Sequence, residues 1–527
     1  MLESQLYDYI IIGSGFGGSV STLRLAEKGY SVLILEQGKR YKTEDFPETN
    51  WNFKKYFWLP QLGFYGIQAM TLLKDVFILH GSGVGGGSLV YANNLLIPPD
   101  EVLESPQWGI QNSKDALLPF YKKAQKMLGA TPCETIAETD EFLKKCADDN
   151  NRGDTFHIND VGVYFGDPDT TVPDPFFDGK GPDRTGCTFC GGCMVGCRVG
   201  AKNTLDKNYL YLAESLGVKI QSETQVMDVQ TTENIYTIQT KRTTGLTSKK
   251  KTYRAKGVIF SAGVLGTTRL LFNCKQNGSL PKISDQLGNR VRTNSEALVG
   301  VRSRNKNVDY SKGLAITSGI YPNEKTHIEA VRYGKGQDSM SSLATILVGG
   351  HPHIPRPLLF LFSILRHPLK FLRSLSPFNW AHRTVILLVM QTIDNYLKLN
   401  YERRWWRLGG FSLNSNWNTH KKVPSFIPVA NQYAEQMAHK MNGDAFSVLP
   451  EVLFDTSSTA HILGGCVMGK SSEDSVIDYS GKVHGYENLH VIDGSVIPVN
   501  LGVNPSLTIT ALAEYIMDQF PEKDNIQ

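Results

Sequence analysis

Short unbroken apolar runs, rather than long alternating ones, punctuate this chain. Tyr9-Ile10-Ile11-Ile12 is the first, and Val32-Leu33-Ile34-Leu35 follows one helix length later. Such runs, bounded by glycine or charge, predict strands buried on both faces, and this pair predicts a βαβ unit with parallel strands. Val258-Ile259-Phe260 is a third run; it ends in Ser261-Ala262-Gly263, and a helix is predicted over 265–272. Upstream of it the pattern gives a helix over 203–216 and a strand over 218–220. A hairpin with arms 237–240 and 251–254 flanks the turn-rich 243–249. Residues 150–185, rich in Gly, Asp and Pro, read as loop, and 298–450 suit a separate domain. The fold class is α/β.

The first strand runs into Gly13-Ser14-Gly15-Phe16-Gly17-Gly18, and the second ends at Glu36. This is a dinucleotide fingerprint in its confirming context. Gly13 allows the tight turn, Gly15 lets backbone approach a pyrophosphate, and Gly18 lets the helix pack on the strand. The pyrophosphate then meets free N–H groups at a helix N-terminus. Glu36 stands where a ribose 2′-hydroxyl is held, which disfavours a 2′-phosphate. A second glycine cluster spans 81–88, with seven glycines and serines in eight positions. It follows strand-like 76–79 and predicts backbone in close approach to a cofactor. The aromatic segment 51–64 predicts core or cavity wall.

Length and charge narrow the class. A chain of 527 residues exceeds one ordinary core, and a net charge of +4 gives no argument for nucleic acid. No run of about 18 apolar residues exists, so no transmembrane helix is expected. The N-terminus lacks the pattern of a secretory signal, and the expected location is the cytoplasm. Residues 354–380 stand apart: Leu358-Leu359-Phe360-Leu361-Phe362 precede Arg366, His367, Lys370 and Arg373. Apolar bulk beside cations suits a peripheral membrane contact through 354–375; a buried helix capped by surface charge fits equally.

Three C-terminal stretches point to chemistry. His461 lies in Thr459-Ala460-His461-Ile462-Leu463-Gly464-Gly465, Asp493 ends the apolar run 489–492, and Asn504 lies in Gly502-Val503-Asn504-Pro505. With the fingerprint and the glycine-rich loop, this order resembles the glucose–methanol–choline (GMC) family of FAD-dependent alcohol oxidoreductases. Within it the chain looks most like bacterial cholesterol oxidases of the non-secreted actinobacterial type. The resemblance implies a Rossmann-like FAD-binding domain with a discontinuous α+β substrate domain containing an antiparallel sheet. The expected division is 1–297 mainly FAD-binding (with a cysteine insertion near 185–200), 298–455 mainly substrate-binding, and 456–527 returning to the FAD domain.

It further implies non-covalent FAD held by Gly13, Gly15, Gly18, Glu36, Gly83, Gly86, Ser88, Asn93 and Asp493. His461 would hold the substrate hydroxyl and serve as base, and Asn504 would hold the hydroxyl or the flavin edge. Glu329 would move a proton from C4 to C6 of a steroid, with Glu296 as its rival. The implied reaction oxidises a bulky apolar secondary alcohol, a 3β-hydroxysteroid such as cholesterol, to the ketone, with O₂ or another acceptor. The alternatives are a flavin dehydrogenase of another lipid or long-chain alcohol, and a non-catalytic flavin-bearing lipid-binding protein.

Cys187-x2-Cys190-x2-Cys193-x3-Cys197 matches ferredoxin-type spacing, with Arg198 where proline is usual. A [4Fe–4S] cluster is expected ahead of zinc on these four thiols.

Overall fold

The computed structural model describes residues 5–245, 249–403, 410–417 and 422–523. β1 (Leu6–Ile12), α1 (Phe16–Glu27) and β2 (Val32–Leu35) form the predicted βαβ unit, with parallel strands and Tyr9 opposite Val32. All four residues of β2 are buried, as an unbroken apolar run requires.

These strands belong to a seven-stranded sheet ordered Lys219–Gln221, β2, β1, Lys250–Phe260, Ile235–Arg242, Thr224–Thr232. The seventh strand, Leu489–Val491, adds in parallel to Lys250–Phe260 through the pair Val258 and Leu489. The C-terminal stretch therefore returns to the first sheet. The predicted hairpin is present, with Tyr236 opposite Ala255; residues 246–248 of its turn lie outside the described residues. The predicted helix 203–216 is interrupted. A single 3₁₀ turn, Leu205–Lys207, precedes the helix Tyr209–Ser215. Asn208 breaks it, because its side chain accepts a hydrogen bond from the Tyr209 N–H at 2.6 Å and caps a new helix.

The second sheet also has seven strands, all antiparallel: Ala344–Ile346, Gly443–Val448, Ala297–Ser303, Thr384–Gln391, Thr326–Val331, Ile316–Asn323 and His157–Ile158. The helix Pro428–Lys440 covers one side, packing Ala430, Tyr433 and Met437 with Val299, Val301 and Leu387. His157–Ile158 corrects the loop reading of 150–185: that stretch supplies an edge strand too short to register as a pattern. The aromatic segment divides. Tyr56 is fully buried and Trp58 lines a cavity, but Trp51 and Phe53 stay 44% and 41% exposed. Among the described residues no helix is long and apolar enough to cross a membrane.

Candidate active site

One cavity of about 1450 Å³ draws its lining from both sheets. A drug-sized ligand fills roughly 300–1,000 Å³, so there is room for a dinucleotide and a second molecule. Gly13, Gly15, Glu36 and Asp493 line one part; Met340, Trp380 and Phe446 line another.

The fingerprint glycines divide their work as their positions demand. Gly13 has φ +100°, and a Cβ there would lie 2.4 Å from the Ser261 carbonyl oxygen. A Cβ on Gly18 would lie 2.2 Å from the Gly13 oxygen, so only glycine lets α1 pack here. A Cβ on Gly15 would meet nothing within 4 Å, which leaves open space for a ligand. Gly15 also begins α1 without a side-chain cap, so free N–H groups face that space. The buried Glu36 carboxylate accepts from the Ser14 N–H at 3.1 Å, the Ser14 hydroxyl at 2.8 Å and the Gly38 N–H at 2.8 Å. Burial raises its pKa against those hydrogen bonds.

The glycine-rich loop is tied to the fingerprint. The Gly85 N–H donates to the Ser14 hydroxyl at 3.1 Å, and a Cβ on Gly86 would lie 2.7 Å from the Gly15 Cα. Gly86 lines the cavity; Gly83 and Ser88 do not. Ser88 instead holds the loop, donating to the Gly85 carbonyl at 2.7 Å and accepting from the Leu205 N–H at 3.1 Å. Asn93 faces away, onto a small cavity bordered by the cysteines, while its neighbour Asn94 faces the large one. Asp493 accepts from the Gly263 N–H (2.9 Å), Thr267 (2.6 Å) and both the N–H and hydroxyl of Ser495 (2.8 and 2.6 Å), which fixes it at the cavity wall.

His461 and Asn504 also line the cavity. His461 Nδ1 bonds the buried Glu296 carboxylate, whose second oxygen accepts from the Ala460 N–H at 2.8 Å. This leaves His461 Nε2 for the cavity. Burial pulls the imidazole pKa down, but the charge and hydrogen bond of Glu296, aided by Glu329, outweigh it and the net direction is up. Glu296 is thus the partner of His461, a role that sequence reasoning did not assign.

Glu329 sits on the wholly buried strand Thr326–Val331. Its carboxylate accepts from Asn94 at 2.6 Å, Asn159 at 2.9 Å and Asn504 at 3.1 Å. Burial pushes its pKa up to about 7, although the three amides and the nearby His461 charge act in the opposite direction. Asn94 and Asn504 line the cavity, whereas Glu329 lies behind them. The Asn504 amide oxygen is buried and has no partner within the protein. Pro505 then opens the helix Ser506–Asp518, which has no side-chain cap and no acid in its first turn. Asn94 and Asn159 were missed: one sits inside an unremarkable segment and the other in apparent loop, and no local pattern marks either.

The expected metal centre on Cys187, Cys190, Cys193 and Cys197 is not supported. The four cysteines border a cavity of only about 20 Å³. Among the described residues no group of three or more His, Cys, Asp or Glu side chains is placed to hold a metal ion. The Lys202 ammonium fills the same region, donating to the Leu89, Tyr91 and Cys193 carbonyls at 3.0, 2.8 and 2.9 Å.

Comparison with known proteins agrees with this architecture. Residues 11–48 match an NAD(P)-binding Rossmann-like domain, and residues 181–308 and 413–513 match the two GMC oxidoreductase models. The chain is 45% identical to a cholesterol oxidase of Acinetobacter baumannii, over 99% of this chain and 95% of that one. It is 44% identical to a cholesterol oxidase of Mycobacterium tuberculosis, over 98% and 91% respectively. A solved formate oxidase superposes with a TM-score of 0.63 at 14% identity, covering 98% of each chain.

Proposed function

Because this chain belongs to the GMC oxidoreductases, we propose that it is an FAD-dependent oxidase of a bulky apolar secondary alcohol, a 3β-hydroxysteroid such as cholesterol. One observation supports this most: a single cavity joins the open space at Gly15, the imidazole of His461 and an apolar wall containing Met340, Trp380 and Phe446. The residues fit FAD. The unfilled Gly15 position and uncapped start of α1 suit a pyrophosphate, and Glu36 and Asp493 suit polar groups of the dinucleotide. We assign 1–297 and 456–527 mainly to holding FAD, and 298–455 mainly to the substrate.

FAD supplies the acceptor for the hydride that leaves the carbinol carbon. The chain's own residues do the rest. His461 Nε2 takes the hydroxyl proton as the carbonyl forms, and Glu296 holds the ring through Nδ1 and stabilises the resulting imidazolium. Asn504 lines the cavity with His461 and gives one amide N–H to Glu329; its other N–H donates to the substrate's hydroxyl oxygen, which leaves the hydroxyl proton for His461 Nε2. Glu329, whose carboxyl burial pushes up to about 7, is the group we assign to the steroid isomerisation: turned from behind Asn94 and Asn504 into the cavity, its carboxylate would take a C4 proton, the double bond would shift from Δ5 to Δ4, and the same proton would go to C6. O₂ is the assigned final acceptor.

The test is the anaerobic absorbance spectrum of isolated protein before and after cholesterol. Bleaching of the flavin bands is expected, followed by peroxide on admitting air. Flavin that stays oxidised with cholesterol but bleaches with a long-chain alcohol removes the sterol assignment. Bleaching without peroxide in air removes O₂.

A further inference from the structure

The helices Arg356–Arg366 and Pro368–Ser374 form a hairpin joined at His367. Its inner side is accounted for. Phe360, Leu359, Ile364 and Phe371 pack with Ile346, Val348 and Val452. The Arg302 guanidinium donates to the carbonyls of Arg373, Ser376 and Phe378. The outer side is apolar as well. Leu361, Phe362, Leu365, Leu369, Leu372 and Phe378 are all more than half exposed, with Leu365 and Leu369 at 70% and Phe378 at 77%. A helix apolar on both sides calls for a second neighbour, and an apolar surface this continuous marks a contact site.

Charge identifies the neighbour. Between Asp338 and Asp394 the chain has no acidic residue, but it holds Arg356, Arg366, Lys370, Arg373 and Arg383. Arg356 is buried against backbone carbonyls, and Arg373 pairs with Asp444. Arg366 and Lys370 are exposed among the apolar tips, as is His367, and neither cation is in an ion pair among the described residues. A second copy of this chain, meeting the same face about a two-fold axis, would set these cations against themselves.

We propose that this outer face docks on an anionic lipid bilayer. The apolar tips enter the headgroup boundary, and Arg366 and Lys370 meet anionic headgroups. The strand Ala344–Ile346 packs against Pro368–Ser374, and both Ala344 and Trp380 line the large cavity. The docked hairpin therefore holds the apolar end of that cavity near the bilayer. This last use rests on the sterol reading; lipid binding itself does not.

The experiment is co-sedimentation of the FAD-loaded protein with sterol-free vesicles, either phosphatidylcholine alone or equal parts phosphatidylcholine and phosphatidylglycerol. The unmodified protein pellets with the anionic vesicles, less so as salt rises, and only weakly with phosphatidylcholine. Leu365→Asp with Leu369→Asp stays in the supernatant while keeping its flavin content and circular dichroism. Arg366→Glu with Lys370→Glu keeps the apolar face and weakens binding by at least about 25-fold, about fivefold per lost cation. Equal sedimentation of the unmodified protein and both variants overturns the proposal, as does an unmodified protein that ignores anionic vesicles. A dimer in light scattering that Leu365→Asp with Leu369→Asp dissolves, with no vesicle binding, assigns the face to self-association instead. Since the vesicles hold no sterol, failure of the substrate reading leaves this result untouched.

Discussion

Replacing Glu296 by glutamine tests whether the buried carboxylate behind His461 makes the imidazole a competent base. One carboxylate oxygen bonds His461 Nδ1, and the other accepts from the Ala460 N–H at 2.8 Å. Both partners are donors when His461 presents Nε2 as acceptor to the cavity. Glutamine has one acceptor oxygen, so its NH₂ must face a donor at one of the two positions. Leaving a buried donor unsatisfied costs about 1–3 kcal/mol. If that cost falls on the transition state, hydride transfer slows by about five- to 150-fold. If it falls on the ground state, the melting temperature drops instead, so both are measured. The pH profile separates this from a merely structural loss. His461 is raised because the Glu296 charge and hydrogen bond outweigh burial. Without that carboxylate, burial acts with less opposition and the pKa falls. A base must be neutral to act, so the rate falls as pH drops through the pKa of His461. The acid limb in Glu296→Gln therefore lies at lower pH than in the unmodified enzyme. The assay is anaerobic stopped-flow reduction of the bound flavin by cholesterol across pH. A variant with an unchanged rate and limb, or a limb displaced upward, refutes the reasoning.

Three further outcomes are expected. Glu329→Gln oxidises the alcohol but releases mostly the unconjugated Δ5 ketone, and in the unmodified enzyme isomerisation declines as pH falls below about 7, where the carboxyl takes up its proton; product chromatography across pH checks both. Gly15→Ala folds with an unaltered melting temperature but binds FAD more weakly, because its Cβ meets no protein atom within 4 Å and enters the ligand's space; Gly18→Ala, whose Cβ would lie 2.2 Å from the Gly13 oxygen, loses both stability and flavin. Flavin titration and thermal melts distinguish the two. Elemental analysis of freshly isolated protein finds no stoichiometric iron or zinc, and Cys190→Ser leaves flavin reduction unchanged; a full complement of either metal contradicts the side-chain geometry at the four cysteines.

The sequence by itself determined whatever depends on contiguous residues. A tight turn, a close backbone approach and a helix packed on a strand each need glycine at one position, so Gly13, Gly15 and Gly18 announced themselves, with Glu36 at the end of the next strand. The order of three motifs along the chain was enough for the family. The tertiary structure decided everything that depends on side-chain direction or on partners far apart in the chain. Glu296 and His461 are 165 residues apart, and Glu329 meets Asn94, Asn159 and Asn504 across 235, 170 and 175 residues. No local period encodes such meetings; they exist only once the loops that carry His461, Asn94, Asn159 and Asn504 pack against the antiparallel sheet. Asn93 and Asn94 differ by one position yet face different cavities. The cysteine spacing gathers four thiols around one small cavity, but among the described residues no three of them are placed to share a metal ion. The hairpin at 356–374 left two readings open for the same reason. Its composition allowed burial or exposure, and only the packing of Phe360 and Phe371 inward determined which apolar side chains remain outside.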